Sequence, residues 1–191
     1  MSKEPMFWYV WQDDMQLRQK GVIPWDQLKK GIELSLENAA RLKNDADLLF
    51  ANRRVGSAVA LWVAAWEEIG KAVLLLKHWK LRQDIKGHSW RRIFREHSPK
   101  QSACFENRDL LWGKNGDQYR SEGLEKLRLS LRYAKEVLGL YVNWVEEKKT
   151  WFSPSDRELM GWDRYLSYSV TEFLVAIPQR VSTILAESDR N

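Results

Sequence analysis

The stretch from Val55 to Lys80 constrains the fold more than any other part of the sequence. As a helix it would be about 39 Å long, at roughly 1.5 Å per residue. Between Val59 and Leu76, apolar residues occupy almost every face of that helix. A helix that is apolar on nearly all sides has to be surrounded by other elements. The stretch therefore predicts the central helix of an all-α antiparallel bundle.

Four residues interrupt this apolar stretch, namely Glu67, Glu68, Gly70 and Lys71. The two carboxylates precede Lys71 by four and three residues, so either one could meet its ammonium group on one turn of the helix. Charges inside such a helix must be paired, neutralised or used in function. A buried structural ion pair and a functional cluster are both compatible with this pattern.

The same charges argue against a membrane span. The uninterrupted apolar part, from Val55 to Trp66, is only about 12 residues long, whereas a spanning helix needs roughly 20. The aromatic run from Met6 to Trp11 is short and follows charged residues, so it does not have the pattern of a secretory signal. We therefore expect a cytoplasmic protein with no membrane partner.

The 191 residues, of which 44% are hydrophobic, suffice for one domain with a substantial core. Residues 1–22 show no sustained period and are interpreted as an N-terminal aromatic arm, which leaves 23–191 as a single helical domain. The single cysteine, Cys104, excludes an internal disulfide framework and fits a reducing compartment. Glu67 and Glu68 lack the histidine three residues later that a carboxylate-bundle metal site needs. We expect no metal and no other cofactor.

The segments on either side supply helices that could surround the central one. From Pro24 to Phe50 apolar residues recur at three- and four-residue steps, which predicts a first long helix. A break near 52–54 would turn the chain back, so that the two long helices form an antiparallel hairpin. A further helix is predicted from Ser121 to about Gly139.

Two features are predicted for the C-terminal third. Residues 140–152 contain a β-prone run and a polar turn, which favours a small extended or hairpin-like excursion. Ser153-Pro154 has the pattern of a helix start, and an apolar stripe follows from Trp162 to Ile184. Pro178 lies inside this stripe and is expected to kink or split the last helix.

The positive charge of the chain is concentrated in the segment 77–100, which we call the basic segment. It contains eight Lys or Arg residues against two acidic residues, while the whole chain has a net charge of +5. Trp79, Trp90 and Phe94 are interleaved with these cations, a pattern expected of a surface that meets phosphates and stacks on bases. The basic segment therefore predicts RNA as a partner, although a solvated basic face would have the same composition.

A helix start is predicted within the basic segment. In Ser98-Pro99-Lys100-Gln101, Ser98 has the position of a cap, Pro99 that of the first helical residue and Gln101 that of a capping-box partner. His97 would then lie just ahead of a helix N-terminus, whose free N–H groups attract phosphate. A neutral histidine beside a bound phosphate could act as a base.

Arg92 precedes His97 by five residues, and Arg91 and Arg95 are alternative arginines. An Arg/His pair can cleave RNA without a metal, because the imidazole moves a proton while the guanidinium stabilises charge on the phosphate. On one continuous helix the two side chains would lie about 140° apart, so they converge only across a break or a subunit interface. Basic segments also produce this spacing by chance.

Three motifs form a pattern that spans about residues 25 to 185. They are Trp66-Glu67-Glu68-Ile69-Gly70-Lys71-Ala72, His97-Ser98-Pro99-Lys100, and Gly139-Leu140-Tyr141-Val142-Asn143 followed by Trp151-Phe152-Ser153-Pro154. In this pattern the chain resembles the AbiV family of abortive-infection proteins, which belongs to the HEPN superfamily. The resemblance implies an all-α HEPN-like bundle, a role in bacterial defence against phage, and a homodimer.

The resemblance also implies candidate site residues. Many HEPN proteins are metal-independent ribonucleases that build an Arg-x4-6-His motif across the dimer and are often restrained by an antitoxin. His97 resembles the motif histidine, and Arg92 or Arg91 its arginine. Residues that would support the site or bind phosphate are Arg91, Arg95, Lys100 and the charged cluster Glu67, Glu68 and Lys71. Ile93 departs from the pattern, because a small polar residue usually follows the arginine in active members.

Three functions remain open at this stage. The first is an abortive-infection effector that cleaves cellular or phage RNA and so stops translation. The second is a non-catalytic helical effector that blocks translation or a phage factor by binding. The third is a nucleotide-binding helical module, which would rest on the basic segment alone.

Overall fold

The computed structural model describes residues 21–113, 143–145, 150–152 and 162–188, with side chains in 21–113 and 172–188. The described part is helical apart from one small β-hairpin, as the sequence predicts. A 3₁₀ turn at Trp25–Gln27 leads into the first helix. The helices and strands in chain order are α1 (Leu28–Ala51), α2 (Val55–Lys80), α3 (Gly87–Phe94), α4 (His97–Glu106), α5 (Arg108–Trp112), β1 (Asn143–Val145), β2 (Thr150–Phe152) and α6 (Trp162–Ser188).

Helices α1 and α2 form the predicted antiparallel hairpin. The chain reverses over residues 52–54, where Arg53 adopts a positive φ of 57°. Next to this turn the ring centroids of Phe50 and Trp62 lie 5.2 Å apart, and the indole N–H of Trp62 donates to Asp47 Oδ1 at 3.0 Å. These contacts fix the two helices where they meet. Helix α1 buries Leu28, Ile32, Ser35, Ala39 and Ala46.

Helix α2 is the centre of the fold, and its bounds agree with those predicted from its apolar composition. It packs against α1, α3, α4 and α6, so nearly every face is covered. The two largest side chains buried in it are Trp62 and Trp66. Glu67, a carboxylate, lies among these apolar side chains and is also buried.

A short irregular segment connects α2 to α3. Ile23 and Ile85 pair through two backbone hydrogen bonds of 2.9 Å, and the side chain of Ile85 is fully buried. Helix α3 then ends at Phe94, and α4 begins at His97 after Glu96, which has extended backbone angles. The helical conformation is therefore interrupted between Arg92 and His97, which lie on two different helices.

The predicted capping box at Ser98 is wrong. Helix α4 begins at His97, so Ser98 is its second residue, and no side chain caps this N-terminus. The amide of Gln101 instead bonds to Glu67 of α2. Starting the helix at His97 places His97 and Gln101 four residues apart on one face, where both contact the carboxylate of Glu67. These tertiary contacts have overridden the local capping pattern.

Helix α6 runs without interruption through Pro178, so of the two expected effects of this proline, a kink or a split, the split does not occur. A proline removes one backbone hydrogen bond, and the buried side chains of Ile177 and Val181 on either side hold the helix against the core. Arg180 Nε donates to the carbonyl of Leu111 at 2.5 Å, which joins α6 to α5.

The predicted extended excursion is confirmed as a two-stranded antiparallel hairpin. Strands β1 and β2 pair with Trp144 opposite Trp151 and Asn143 opposite Phe152. Several predictions lie outside the described residues, namely residues 1–20 of the N-terminal arm, the helix 121–139 and the helix start at Ser153-Pro154. Within the part of the chain that is described, none of the helices combines the length and the apolar character that a membrane crossing requires.

Candidate active site

Glu67 is the centre of a cluster that joins α2 to α4. Its Oε2 lies 2.6 Å from His97 Nδ1 and 3.6 Å from Lys100 Nζ, and its Oε1 accepts a hydrogen bond of 2.8 Å from Gln101 Nε2. His97, Lys100 and Gln101 are spaced at one turn of α4, so a single face of that helix meets the carboxylate. Residues about thirty positions apart in the chain are thereby brought into one polar cluster.

Two residues of α2 determine how closely α4 approaches. The indole N–H of Trp66 donates to the backbone carbonyl of Gln101 at 2.9 Å. At Gly70, a Cβ atom would lie only 1.8 Å from the backbone carbonyl oxygen of Lys100, which no real Cβ could do. A glycine is therefore required at this position for the two backbones to pack as they do.

The cluster compensates the buried charge of Glu67. The side chain of Glu67 is only 10% exposed and that of Lys100 only 11%, so their charges are largely removed from water. A buried carboxylate is tolerated when it is paired with a cation and when both its oxygens accept hydrogen bonds. The Lys100 ammonium is the nearby cation, and the Gln101 amide donates one of these hydrogen bonds.

His97 is anchored at one ring nitrogen and open at the other side. Its side chain is 61% exposed, although Nδ1 contacts the buried Glu67. The hydrogen-bond distance joins Nδ1 to Oε2 of Glu67, and which of the two carries the hydrogen depends on the tautomer of the ring. The ring is therefore held at Nδ1, while most of the His97 side chain stays exposed to solvent.

Glu68 and Lys71 form a separate ion pair. Lys71 Nζ lies 2.6 Å from Glu68 Oε2, and both side chains are mostly buried. Of the two pairings that the sequence left open, the structure therefore shows the one three residues apart. Glu67 belongs to the contact with α4 instead.

The three candidate arginines have different surroundings. Arg91 Nε pairs with Glu96 Oε1 at 3.2 Å, and the guanidinium of Arg95 lies 5.6 Å from the centroid of the Trp90 ring. Arg92 is exposed at the end of α3, and among the described contacts none joins it to His97. Ile93, the residue that departs from the family pattern, points into the core and is 2% exposed. The helix is thus interrupted between Arg92 and His97, as convergence of the two side chains would require, but none of the described contacts joins them.

The basic segment presents its cations to solvent. Lys100 is the exception, since it is used in the cluster around Glu67, whereas the other Lys and Arg side chains of the segment are exposed. Trp79, Trp90 and Phe94 are half-buried and pack against the core, with the Trp90 and Phe94 ring centroids 5.3 Å apart. The exposed charge therefore precedes His97 in the chain, from the last turn of α2 through α3 to the residues that follow it.

No group of three or more metal-ligating side chains is assembled among the described residues. Cys104 is fully buried in α4, and burial raises the pKa of its thiol far above the ordinary value, so it is unsuited to act as a nucleophile.

Burial, together with the charge of Lys77, lowers the pKa of His78. His78 borders an open cleft of about 450 Å³, whose other lining residues are Gln83, Asp84, Lys86, His88 and Ser89.

Sequence reasoning missed two residues of the cluster. Gln101 was assigned to a helix cap, yet its spacing of four from His97 places both on one face of α4. Gly70 appears in the sequence pattern as an interruption of the apolar stretch and as part of the motif Trp66 to Ala72, with no packing role assigned to it. A glycine in the middle of a long buried helix, one turn from a carboxylate, is the signal that could have indicated close packing of another backbone.

Comparison with known proteins identifies a family. A family model described as AbiV, within the HEPN class, matches residues 27–159, which is more than half of the chain. The matched span contains helices α1 to α5 and therefore the whole cluster around Glu67. No curated protein and no solved structure matches the chain.

Proposed function

The chain belongs to the AbiV family of the HEPN superfamily, and from this premise we propose that it is an abortive-infection effector that cleaves RNA without a metal. The family supports the role of a HEPN-type abortive-infection effector. The cleavage activity is supported by one observation above all. His97 is held by a buried carboxylate while most of its ring is exposed, next in the chain to a strongly basic surface.

The chemistry assigned to His97 is proton transfer at the ribose. Nε2 takes the proton of the 2′-hydroxyl, the 2′-oxygen attacks the adjacent phosphorus, and the bond from phosphorus to the 5′-oxygen breaks. The leaving 5′-oxygen takes the proton back from the protonated His97, and the products are a 2′,3′-cyclic phosphate and a 5′-hydroxyl. An arginine of the basic segment, Arg92 or Arg91, stabilises the negative charge that develops on the phosphate. A homodimer would bring a second copy of the basic segment to the site.

A cleavage assay tests this function. Purified protein is incubated with labelled single-stranded RNA and with transfer RNA in the presence of a chelator. We expect cleavage by the wild type and its loss in His97→Ala. His88→Ala is the matched control, because His88 is an exposed histidine of the same basic segment that makes no contact with Glu67 among the described residues. Equal cleavage by wild type and His97→Ala would overturn the assignment of His97.

A non-catalytic effector is the second candidate, and the position of Arg92 favours it. Arg92 makes no contact with His97 among the described residues, and the neighbouring Ile93 is buried rather than polar. Such a protein would block translation or a phage factor by binding, with RNA, a phage protein or an antitoxin as partner. Toxicity in cells that survives both Arg92→Ala and His97→Ala would support this candidate over the ribonuclease.

A further inference from the structure

We propose that Glu67 is a positioning residue that holds His97 in the tautomer with hydrogen on Nδ1, so that Nε2 carries the free lone pair on the exposed side of the ring. The consequence for cleavage rests on the proposed ribonuclease function. The inferred tautomer of His97 does not rest on that function, because it is argued from the contacts between α2 and α4.

Two side chains of α4 besides His97 contact the Glu67 carboxylate. Gln101 Nε2 donates to Oε1 at 2.8 Å, and Lys100 Nζ lies 3.6 Å from Oε2. The backbone carbonyl of Gln101 is in turn held by the indole of Trp66 at 2.9 Å. The oxygen that faces His97 therefore has little freedom to turn away. A ring nitrogen 2.6 Å from that oxygen has to be protonated, because a carboxylate has no hydrogen to donate.

This arrangement selects a tautomer that His97 would not adopt by default. The hydrogen bond that one ring nitrogen makes determines which nitrogen carries the proton. With Nδ1 as the donor, a neutral His97 presents Nε2 as an acceptor that can take a proton, and a protonated His97 presents Nε2–H as a donor. Both forms suit proton transfer to or from a ribose oxygen.

The substitution Glu67→Gln should reverse the tautomer while keeping the shape of the side chain. Gln101 still donates to the position of Oε1, so the amide oxygen of the new glutamine occupies that place. Its NH₂ group then faces Nδ1 of His97, which has to accept, and the proton moves to Nε2. A histidine with hydrogen on Nε2 cannot act as a base there, as happens when a base-orienting carboxylate is replaced by an amide.

The double substitution Glu67→Gln with Gln101→Glu should restore the original tautomer. The carboxylate is now at position 101 and accepts from the NH₂ group at position 67. The amide oxygen at position 67 is thereby turned toward His97 and again accepts from Nδ1–H. The number of charges in the cluster stays the same, so the comparison isolates the direction of the hydrogen bonds.

The test is ¹⁵N NMR of the imidazole nitrogens at alkaline pH, where the histidines are neutral. The signals of His97 are identified by their absence in His97→Ala. We expect hydrogen on Nδ1 in the wild type, on Nε2 in Glu67→Gln, and on Nδ1 again in the double variant. Glu68→Gln is the matched control, since it removes the neighbouring carboxylate and should leave the His97 tautomer unchanged. A wild-type His97 with hydrogen on Nε2, or a tautomer that Glu67→Gln does not change, would overturn the proposal.

Cleavage assays on the same variants separate this inference from the proposed function. If the protein is a ribonuclease, we expect the cleavage rate to fall roughly 100- to 10 000-fold in Glu67→Gln and to recover at least in part in the double variant. An unchanged rate in Glu67→Gln would overturn the positioning role. Absence of cleavage in the wild type, with the expected tautomers present, would contradict the ribonuclease and still support the effect of Glu67 on His97. If the double variant does not fold, the wild type and Glu67→Gln alone decide the tautomer.

Discussion

At the residue scale, the described part contains two histidines in contrasting environments. His97 has a carboxylate partner at Nδ1 and an exposed ring, whereas Nδ1 of His78 is buried without a hydrogen-bond partner among the described residues. A buried nitrogen without a partner disfavours the charged ring, which agrees with the lowered pKa of His78. The environment of His97 is compatible with the proton transfer proposed for it, and the environment of His78 makes the charged form of that ring unfavourable.

The lowered pKa of His78 predicts a component of stability that is lost in acid. Above the unfolded-state pKa of about 6.5, His78 is neutral in both states. As the pH falls through that value and then through the lower folded-state pKa, the unfolded state binds the proton first and the free energy of unfolding decreases. We expect His78→Gln to lose less stability than the wild type between about pH 7.5 and about pH 5.5. Denaturant unfolding at both pH values measures this, and equal losses would contradict it.

At the scale of elements, the contact between α2 and α4 determines the geometry of the site. Gly70 allows the two backbones to approach, and Trp66 holds the carbonyl of Gln101. Cys104 lies on the same helix α4 and is fully buried, so its thiol is a native reporter of whether α4 is in place. Any change that separates these helices should expose this thiol and release His97 from Glu67.

Gly70→Ala should therefore destabilise the protein even though alanine is the better helix former. Alanine gains up to about 1 kcal/mol in helix propensity. That gain is outweighed by a Cβ at 1.8 Å from the Lys100 carbonyl oxygen, since overpacking against backbone costs about 1–3 kcal/mol or more. We expect a lower free energy of unfolding and faster reaction of Cys104 with a thiol reagent.

Gly31→Ala is the matched control for this substitution. Gly31 lies in α1, and its added Cβ would come 3.3 Å from the Leu75 side-chain methyl, which can shift. We expect stability within about 1 kcal/mol of the wild type and no change in Cys104 labelling. If Gly70→Ala behaved like Gly31→Ala in both measurements, the role given to Gly70 would be wrong.

Much of the fold could be predicted from the sequence because its strongest signals are local. Helix α2 was predicted with its observed bounds, since it is apolar on nearly all sides and charged residues and loops flank it. The contact of Glu67 with His97 could not be predicted, because periodicity does not give the register between two helices thirty residues apart. The local capping pattern at Ser98 misleads for the same reason. The Gln101 amide donates to Glu67 of another helix and not to the start of its own helix.

At the scale of the whole molecule, the surface charge supports a polyanionic partner. The exposed cations of the basic segment lie in the last turn of α2, in α3 and in the loops on either side of α3, before the helix that begins with His97. A surface of this kind binds RNA mainly through its phosphates, and such binding weakens as salt concentration rises.

The central claim is that His97 moves a proton at the ribose 2′-hydroxyl, and the ends of the RNA products test it most directly. Labelled RNA is cleaved in the presence of a chelator, and the termini are identified by mass spectrometry. We predict a 2′,3′-cyclic phosphate, or the monophosphate formed from it, together with a 5′-hydroxyl. A strand with a 2′-deoxy or 2′-O-methyl sugar at the cleaved position should resist cleavage. Products with a 3′-hydroxyl and a 5′-phosphate, or cleavage of the 2′-blocked strand at that position, would contradict the account.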